Sequence, residues 1–257
     1  MIYGLYLSAQ GAENQSIRQD VIANNLANAG TTAFKRGLAL FRAHHPFDRS
    51  EGTEANPPHD LSQSTGGTTP SQVATDFTNG PLIPTGGSLD LAIQGSGFFK
   101  VADPKGNEFL TRNGKFTLTK NGELVTTSQG FHVLDNAGQP VVVPPGSSDI
   151  VVGENGGIQA LTTEGVPVPI GQLDLSMPRE LKQLEKIGNS LYRAHGGVDS
   201  VDASTSVKQG FTEGSGTNSV NEMLAMVEAS RFYETNVNMI KYQDDALGRL
   251  LQSMSPR

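Results

Sequence analysis

Two Gly-Ser-Gly turns, five histidines and a scatter of acids are the residues of this chain whose types and spacing could do chemistry. Gly95-Ser96-Gly97 follows the alternating run Leu89, Leu91, Ile93, as the opening turn of a dinucleotide fingerprint would. Lys100 stands where its third glycine belongs, and Pro104 closes FFKVAD before a helix could start, so the segment reads as a turn between strands. Gly214-Ser215-Gly216 precedes the last helical pattern, where free helix N–H groups could cradle an anion. No Walker-type lysine follows, and Glu213 and Glu222 oppose a phosphate, so linker plus cap is the reading there.

His44, His45, His59, His132 and His195 lack H-x-x-x-H spacing, and adjacent histidines on a regular element point apart, so no metal is expected. A glycan-cleaving acid pair needs two carboxylates about 5 to 9 Å apart with one desolvated. Asp90, Glu108 and Glu123 each sit beside polar turn residues, where a solvated acid is the default. The chain has no cysteine, which excludes disulfides, thiolate nucleophiles and Cys-ligated zinc, and it has no G-x-S-x-G. No catalytic residue and no cofactor is expected.

Composition narrows the partners. With 19 basic against 26 acidic residues, a net charge of -7 and no basic stripe, nucleic acid is excluded. The opening MIYGLYLSAQGAENQSI has no basic n-region, and Gln10, Glu13 and Asn14 interrupt it early. Neither a cleaved signal peptide nor membrane insertion is expected.

The elements that must position these residues fall into three kinds. From about Leu5 to Asn28 there is no proline, and Ile17, Val21, Ile22 and Leu26 give helical spacing, ending near Gly30. Ser50 to Ser88 holds no Lys or Arg and is dense in Thr, Ser, Gly and Pro, which predicts an extended connector. Glycines then recur every eight residues, at Gly106, Gly114, Gly122, Gly130, Gly138 and Gly146, with hairpin signals at Asn113-Gly114 and Asn121-Gly122. Between them EFLTR, KFTLT, ELVTT, FHVLD and QPVVVPP suit a half-buried sheet, so a β-meander is predicted, continued by 150–158 and 166–175. A short helical stretch is predicted near 178–187.

The last element is the clearest. Ser219-Val220-Asn221-Glu222 fits a capping box. Downstream, Met223, Met226, Ser230, Tyr233, Val237, Ile240, Asp244, Leu247 and Leu251 step alternately by three and four, the spacing of a coiled-coil seam.

Three stretches carry a family resemblance. Asn24-Asn25-Leu26-Ala27-Asn28 followed by Thr31-Thr32-Ala33-Phe34-Lys35 resembles the N-terminal signature of bacterial flagellar rod and hook proteins, with Ala33 where the family has glycine in a tight turn. LDLAIQGSGFFKV with FLTRNGKFTLTKNGELVTTSQGFHVL is similar to the family's central β domain, and residues 209–251 are similar to its C-terminal helix. The resemblance implies an α+β chain: an antiparallel all-β central domain flanked by N- and C-terminal helices that pair as a coiled coil. The expected divisions are 1–47 for the N-terminal helix and turn, 48–80 for the connector, 81–206 for a β domain able to fold alone, and 207–257 for the C-terminal helix. It also implies a structural subunit of the flagellar basal body, a helical polymer that transmits torque across the periplasm for motility. The partners it implies are itself, other rod and hook-basal-body proteins and the type III export apparatus. Asn24, Asn25, Leu26, Asn28, Thr31, Phe34 and Lys35 are then the assembly motif, and Met223, Met226, Tyr233, Val237, Ile240, Leu247 and Leu251 the assembly helix. A chain of 257 residues has no obvious room for the hook protein's extra outer domain, and TDFTNGPLIPTGGSLDLAI and TRNGKFTL look more like the proximal than the distal rod member. The alternative of another class is a periplasmic β-scaffold enzyme acting on cell-wall glycan.

Overall fold

The computed structural model describes residues 2–43, 67–162, 166–202 and 204–254. They form two compact units. The helical unit contains α1 (Ile2–Ala27), the strands β1 (Gly37–Ala43) and β2 (Thr68–Thr75), and α2 (Ser219–Met254). The β unit takes residues 28–36 together with 76–217.

In the helical unit α1 and α2 pack side by side. They run antiparallel, because Gln19 Nε2 reaches Ser230 Oγ at 3.4 Å while Asn25 Nδ2 reaches Glu222 Oε2, also at 3.4 Å. The N-terminus of α2 is capped by Asn218, whose Oδ1 accepts from the Val220 and Asn221 amides at 3.0 and 3.2 Å. This corrects the capping box expected at Ser219: an asparagine one residue earlier serves the same orphan donors, and Glu222 turns inward. β1 and β2 form an antiparallel hairpin against α1, tied by Asn14 Nδ2 donating to the Thr68 carbonyl at 2.6 Å. The stretch 68–75, expected as connector, is therefore strand, while 48–66 and His44, His45 and His59 lie outside the described residues.

The β unit opens with β3 (Leu82–Pro84), β4 (Leu91–Gln94), β5 (Phe98–Ala102), β6 (Glu108–Thr111), β7 (Phe116–Leu118), β8 (Leu124–Thr126) and β9 (His132–Val133). A three-stranded meander follows, β10 (Ser147–Val152), β11 (Gly157–Thr162) and β12 (Pro167–Gln172). Then come β13 (Leu175–Pro178), β14 (Leu184–Gly188), β15 (Leu191–Ala194), β16 (Val198–Ser200), β17 (Ser206–Gln209) and β18 (Phe211–Glu213). The expected helical stretch near 178–187 is one 3-10 turn, Leu181–Gln183, before β14.

The main sheet runs β14-β15-β6-β5-β9-β8-β7, so the strands are antiparallel without following one another as a simple meander. β5 sits centrally and is buried on both faces. Phe98 joins Phe77 and Tyr192 in an aromatic trio on one side, while Phe99 meets Phe116 edge-to-face at 5.2 Å on the other. Each such ring contributes roughly 1.5 to 3 kcal/mol on burial. Asn121-Gly122 makes the expected hairpin between β7 and β8. Asn113-Gly114 does not, because β6 and β7 are not partners; a Cβ on Gly114 would strike the Leu91 carbonyl, so that glycine permits close approach of two backbones. QPVVVPP forms isolated bridges, Glu123 with Val142 and Leu134 with Pro140, rather than a strand.

The outer boundary of the β unit also differs from 81–206. β4 pairs with β17 and β3 with β18, so residues up to 213 belong to its sheets, and the final helix begins only at Ser219. Strands distant in sequence close the unit, which composition alone does not mark.

Candidate assembly site

The two halves of the N-terminal motif have different surroundings. In the helical unit Asn24 lies on the exposed side of α1, Leu26 is half-buried and Asn25 is buried. Asn25 grips the start of β1 at two points: its Nδ2 donates to the Gly37 carbonyl at 2.9 Å, and its Oδ1 accepts from the Gly37 amide at 2.8 Å. One short amide thereby holds the chain that follows α1, which is the physical use of asparagine at this point.

In the β unit Asn28 and Thr31 build a turn, with the Thr31 amide donating to the Asn28 carbonyl at 3.0 Å and Thr31 Oγ1 donating to Asn28 Oδ1 at 3.2 Å. Ala33 has φ 55°, a left-handed conformation that suits glycine and strains a Cβ. Phe34 is buried beneath the Lys186 ammonium, 3.8 Å from its ring centroid. Lys35 is 1% exposed, and its Nζ donates to Glu213 Oε1 at 2.7 Å and to the Thr78 carbonyl at 2.8 Å.

Glu213, equally buried, is the hub. Its Oε1 also accepts from the Gly80 amide at 2.9 Å, and Arg112 Nη1 approaches its Oε2 at 3.6 Å. Arg112 is held by the Ile93 and Gly95 carbonyls, at 3.2 and 2.7 Å. Backbone bonds close the same knot: Ala33 N to Glu213 O at 2.8 Å and Gly216 N to Phe34 O at 2.8 Å. Burial lowers the Lys35 ammonium below its usual range against the opposing pull of Glu213, and burial lowers the Arg112 guanidinium and Lys186 as well. The Tyr192 phenol is pushed up, first by burial and then by the Glu213 charge. The arrangement is a clamp: it joins residues 28–36 to the last strand before α2, 178 positions away.

Glu213, Arg112 and Tyr192 were not singled out from the sequence. Glu213 drew notice only as an acid opposed to a phosphate, and the local signal was an acid and an arginine closing the strand-like runs FTE and EFLTR.

The face of α2 that meets α1 is turned by one residue from the expected seam. Met226, Ile240 and Leu247 are half-buried, as the spacing puts them, and Ser230 meets Gln19 of α1, but Tyr233 is 39% exposed, and Glu222, Ala229, Asn236 and Gln243 turn toward α1 where Met223 and Asp244 were expected. Apolar content favoured the other register; the polar and small residues of α1, among them Gly4, Gly11 and Asn25, favour this one. Val237 is half-buried at its flank, while Met223 and Leu251 face outward, 51% and 70% exposed. Val220, Leu224, Val227, Phe232, Met239 and Tyr242 are exposed as well, set among exposed charged residues such as Arg231, Glu234 and Lys241.

In the second Gly-Ser-Gly turn both glycine amides are already used, and in the first a carbonyl is. Gly214 N and Gly216 N are bonded to the Pro81 and Phe34 carbonyls, and Gly95 O accepts from Arg112. The acids considered for hydrolysis have separate partners: Glu108 binds Lys100 at 2.9 Å, and Glu123 accepts from Thr119 Oγ1 at 3.4 Å. Among the described residues no three His, Cys, Asp or Glu side chains could share a metal, and no helix is long and apolar enough to cross a membrane.

A buried clamp, a polar helix pair and an uncovered helix face are features of a structural module that presents surfaces to other chains. Family comparison gives the same class: residues 5–35 match the flagella basal body rod protein family, 92–160 the flagellar hook protein FlgE/F/G D1 domain, and 208–253 the flagellar basal body rod FlgEFG protein C-terminal family. The chain is 34% identical to the flagellar basal-body rod protein FlgG of Buchnera aphidicola from Schizaphis graminum, over 98% of this chain and 100% of that one. It is 34% identical to FlgF of Caulobacter vibrioides over 86% and 85% of the two chains, and 32% identical to FlgF of Salmonella typhimurium over 99% of each. The chain belongs to the flagellar basal-body rod protein family. Its relatives named FlgG and FlgF are about equally similar to it.

Proposed function

We propose that the chain is a structural subunit of the bacterial flagellar rod and polymerises helically through its terminal helices, which pair as a coiled coil, to carry torque for motility. The observation that carries this is similarity to rod proteins along 98% of the chain, both helices included. The uncovered apolar residues of α2 support the mode of assembly, since a monomer seldom leaves so much apolar surface without a partner. Its partners are other rod and hook components, further copies of itself, and the type III export apparatus that passes it outward without a cleaved signal peptide to a rod spanning the periplasm. Asn25 and Lys35 serve assembly from within, by fixing the segments that leave and re-enter the helices. Within the rod we place it nearer the proximal than the distal end, on the sequence resemblance of residues 75–93 and 111–118. No observation favours an enzyme acting on glycan, and the family is structural.

The test is a pair of charges on the uncovered face, Phe232→Asp with Met239→Asp. We expect unchanged unfolding of the β unit, but loss of the chain from isolated basal bodies and loss of swimming. Wild-type motility would show that this face is not an assembly surface.

A further inference from the structure

Along α1, Gly4, Gly11, Arg18 and Asn25 recur every seven residues, and along α2 Gln243, Asn236, Ala229 and Glu222 recur every seven in the opposite direction. The two sets meet. A Cβ on Gly11 would lie 2.9 Å from Asn236 Oδ1, and one on Gly4 would lie 3.1 Å from Gln243 Nε2. Asn25 reaches Glu222, both 1% exposed, and by the same register Arg18 stands level with Ala229, which is wholly buried. In each of the two glycine layers the residue without a side chain faces a side-chain amide. A buried amide also meets a buried carboxylate.

Apolar packing would not choose this alignment by itself. Met226, Tyr233, Ile240 and Leu247 also repeat every seven, so sliding α2 by seven residues, about 10 Å, brings another of these apolar or aromatic residues to each position that one of them leaves. The polar ladder breaks that degeneracy. A slip one way sets Gly11 against Gln243 and Arg18 against Asn236; the other way sets Gly4 against Asn236 and Gly11 against Ala229. Both part Asn25 from Glu222 and lose the fit of Gly11 to Asn236. The ladder also lowers stability, because Gln243 Oε1 is buried with no hydrogen-bond partner among the described residues. Polar residues in a helix seam commonly trade stability for a unique register.

We propose that Gly4, Gly11, Arg18 and Asn25 against Gln243, Asn236, Ala229 and Glu222 form a register code. Gly11–Asn236 is its steric layer and Asn25–Glu222 its polar layer, and together they admit one antiparallel pairing of the terminal helices.

Because the chain has no cysteine, introduced pairs report register directly. Gln15→Cys with Tyr233→Cys marks the observed alignment, and Gln15→Cys with Ile240→Cys or Met226→Cys marks the two slipped ones. In isolated basal bodies, oxidation should join the first pair within single chains and the slipped pairs about tenfold less. Gly11→Leu should cut the first disulfide about tenfold, and adding Asn236→Ala should restore it. The code is overturned if slipped and aligned pairs cross-link equally in the parent chain. It is also overturned if Gly11→Leu changes nothing, or if the loss of cross-link or of incorporation is not reversed by Asn236→Ala. Absence of every cysteine-pair chain from basal bodies while the unsubstituted chain is also absent would instead count against the rod reading.

Discussion

In the β unit the buried side chains include Phe99, Val101 and Tyr192, whereas in the helical unit Ile22 and Ala229 are joined by the polar Gln10, Asn14, Asn25 and Glu222. One unit hides rings and branched aliphatics between strands and admits charge at a single clamp. The other hides amides and a carboxylate where α1 meets α2 and the strand pair, and leaves Leu224, Phe232 and Tyr242 to solvent, at 62%, 56% and 70% exposure. Apolar burial is the main source of stability, so we expect the β unit to hold itself together and the helices to gain most from what covers their outer face. A subunit divided this way keeps a finished body and an unfinished connector, and the two can be tested separately.

The clamp should give the largest effect. Lys35→Met leaves Glu213 buried without its ammonium and should cost about 3 to 5 kcal/mol in denaturant unfolding of the β unit. A change below about 1 kcal/mol would show that Arg112 and the backbone suffice. Next, in the unassembled chain the amides of residues 223–251 should exchange at least about a hundredfold faster than those of β5. Equal protection would erase the contrast between the units and make the helices self-sufficient.

Tyr192 sharpens the comparison through pH. Its folded state keeps the phenol proton above the ordinary 10.0, so above about pH 10 the unfolded chain releases a proton that the native chain retains. Stability from this group is full below pH 10 and is lost as pH rises beyond it, at about 1.4 kcal/mol per pH unit. Tyr192→Phe should flatten that alkaline limb in thermal melts and cost little at neutral pH, since the hydroxyl has no hydrogen-bond partner.

Smaller still, Ala33→Gly should stabilise by roughly 0.5 to 1 kcal/mol, because relief of a left-handed Cβ exceeds the added chain entropy. A loss of stability would mean that the methyl packing at this fully buried site outweighs the strain. At the bottom of the scale, His195→Gln, exposed beside Glu185 at 2.9 Å, should shift unfolding by no more than about 0.5 kcal/mol.

The helices, the turn spacing and the turn within the N-terminal motif were legible because they are local. Proline-free runs with helical spacing, a hairpin at Asn121-Gly122 and a left-handed turn ending in Phe34-Lys35 follow from the conformations that neighbouring residues allow. Asn113-Gly114 misled because the same dipeptide also serves two backbones that must touch, and which use applies depends on Leu91.

Sequence alone determined the class of element at each end, the β character of the middle and the absence of thiol chemistry, since each depends on residue type and short-range spacing. Tertiary structure decided that Lys35 meets Glu213 across 178 positions, that β17 and β18 complete the β unit, and that α2 turns Asn236 and Gln243 rather than Val237 and Asp244 toward α1. The reason is physical: periodicity reports how much apolar surface each face of a helix carries, but the face that is buried is chosen by its partner. Here the partner offers Gly4 and Gly11, and the side-chain amides of Gln243 and Asn236 occupy the room they leave.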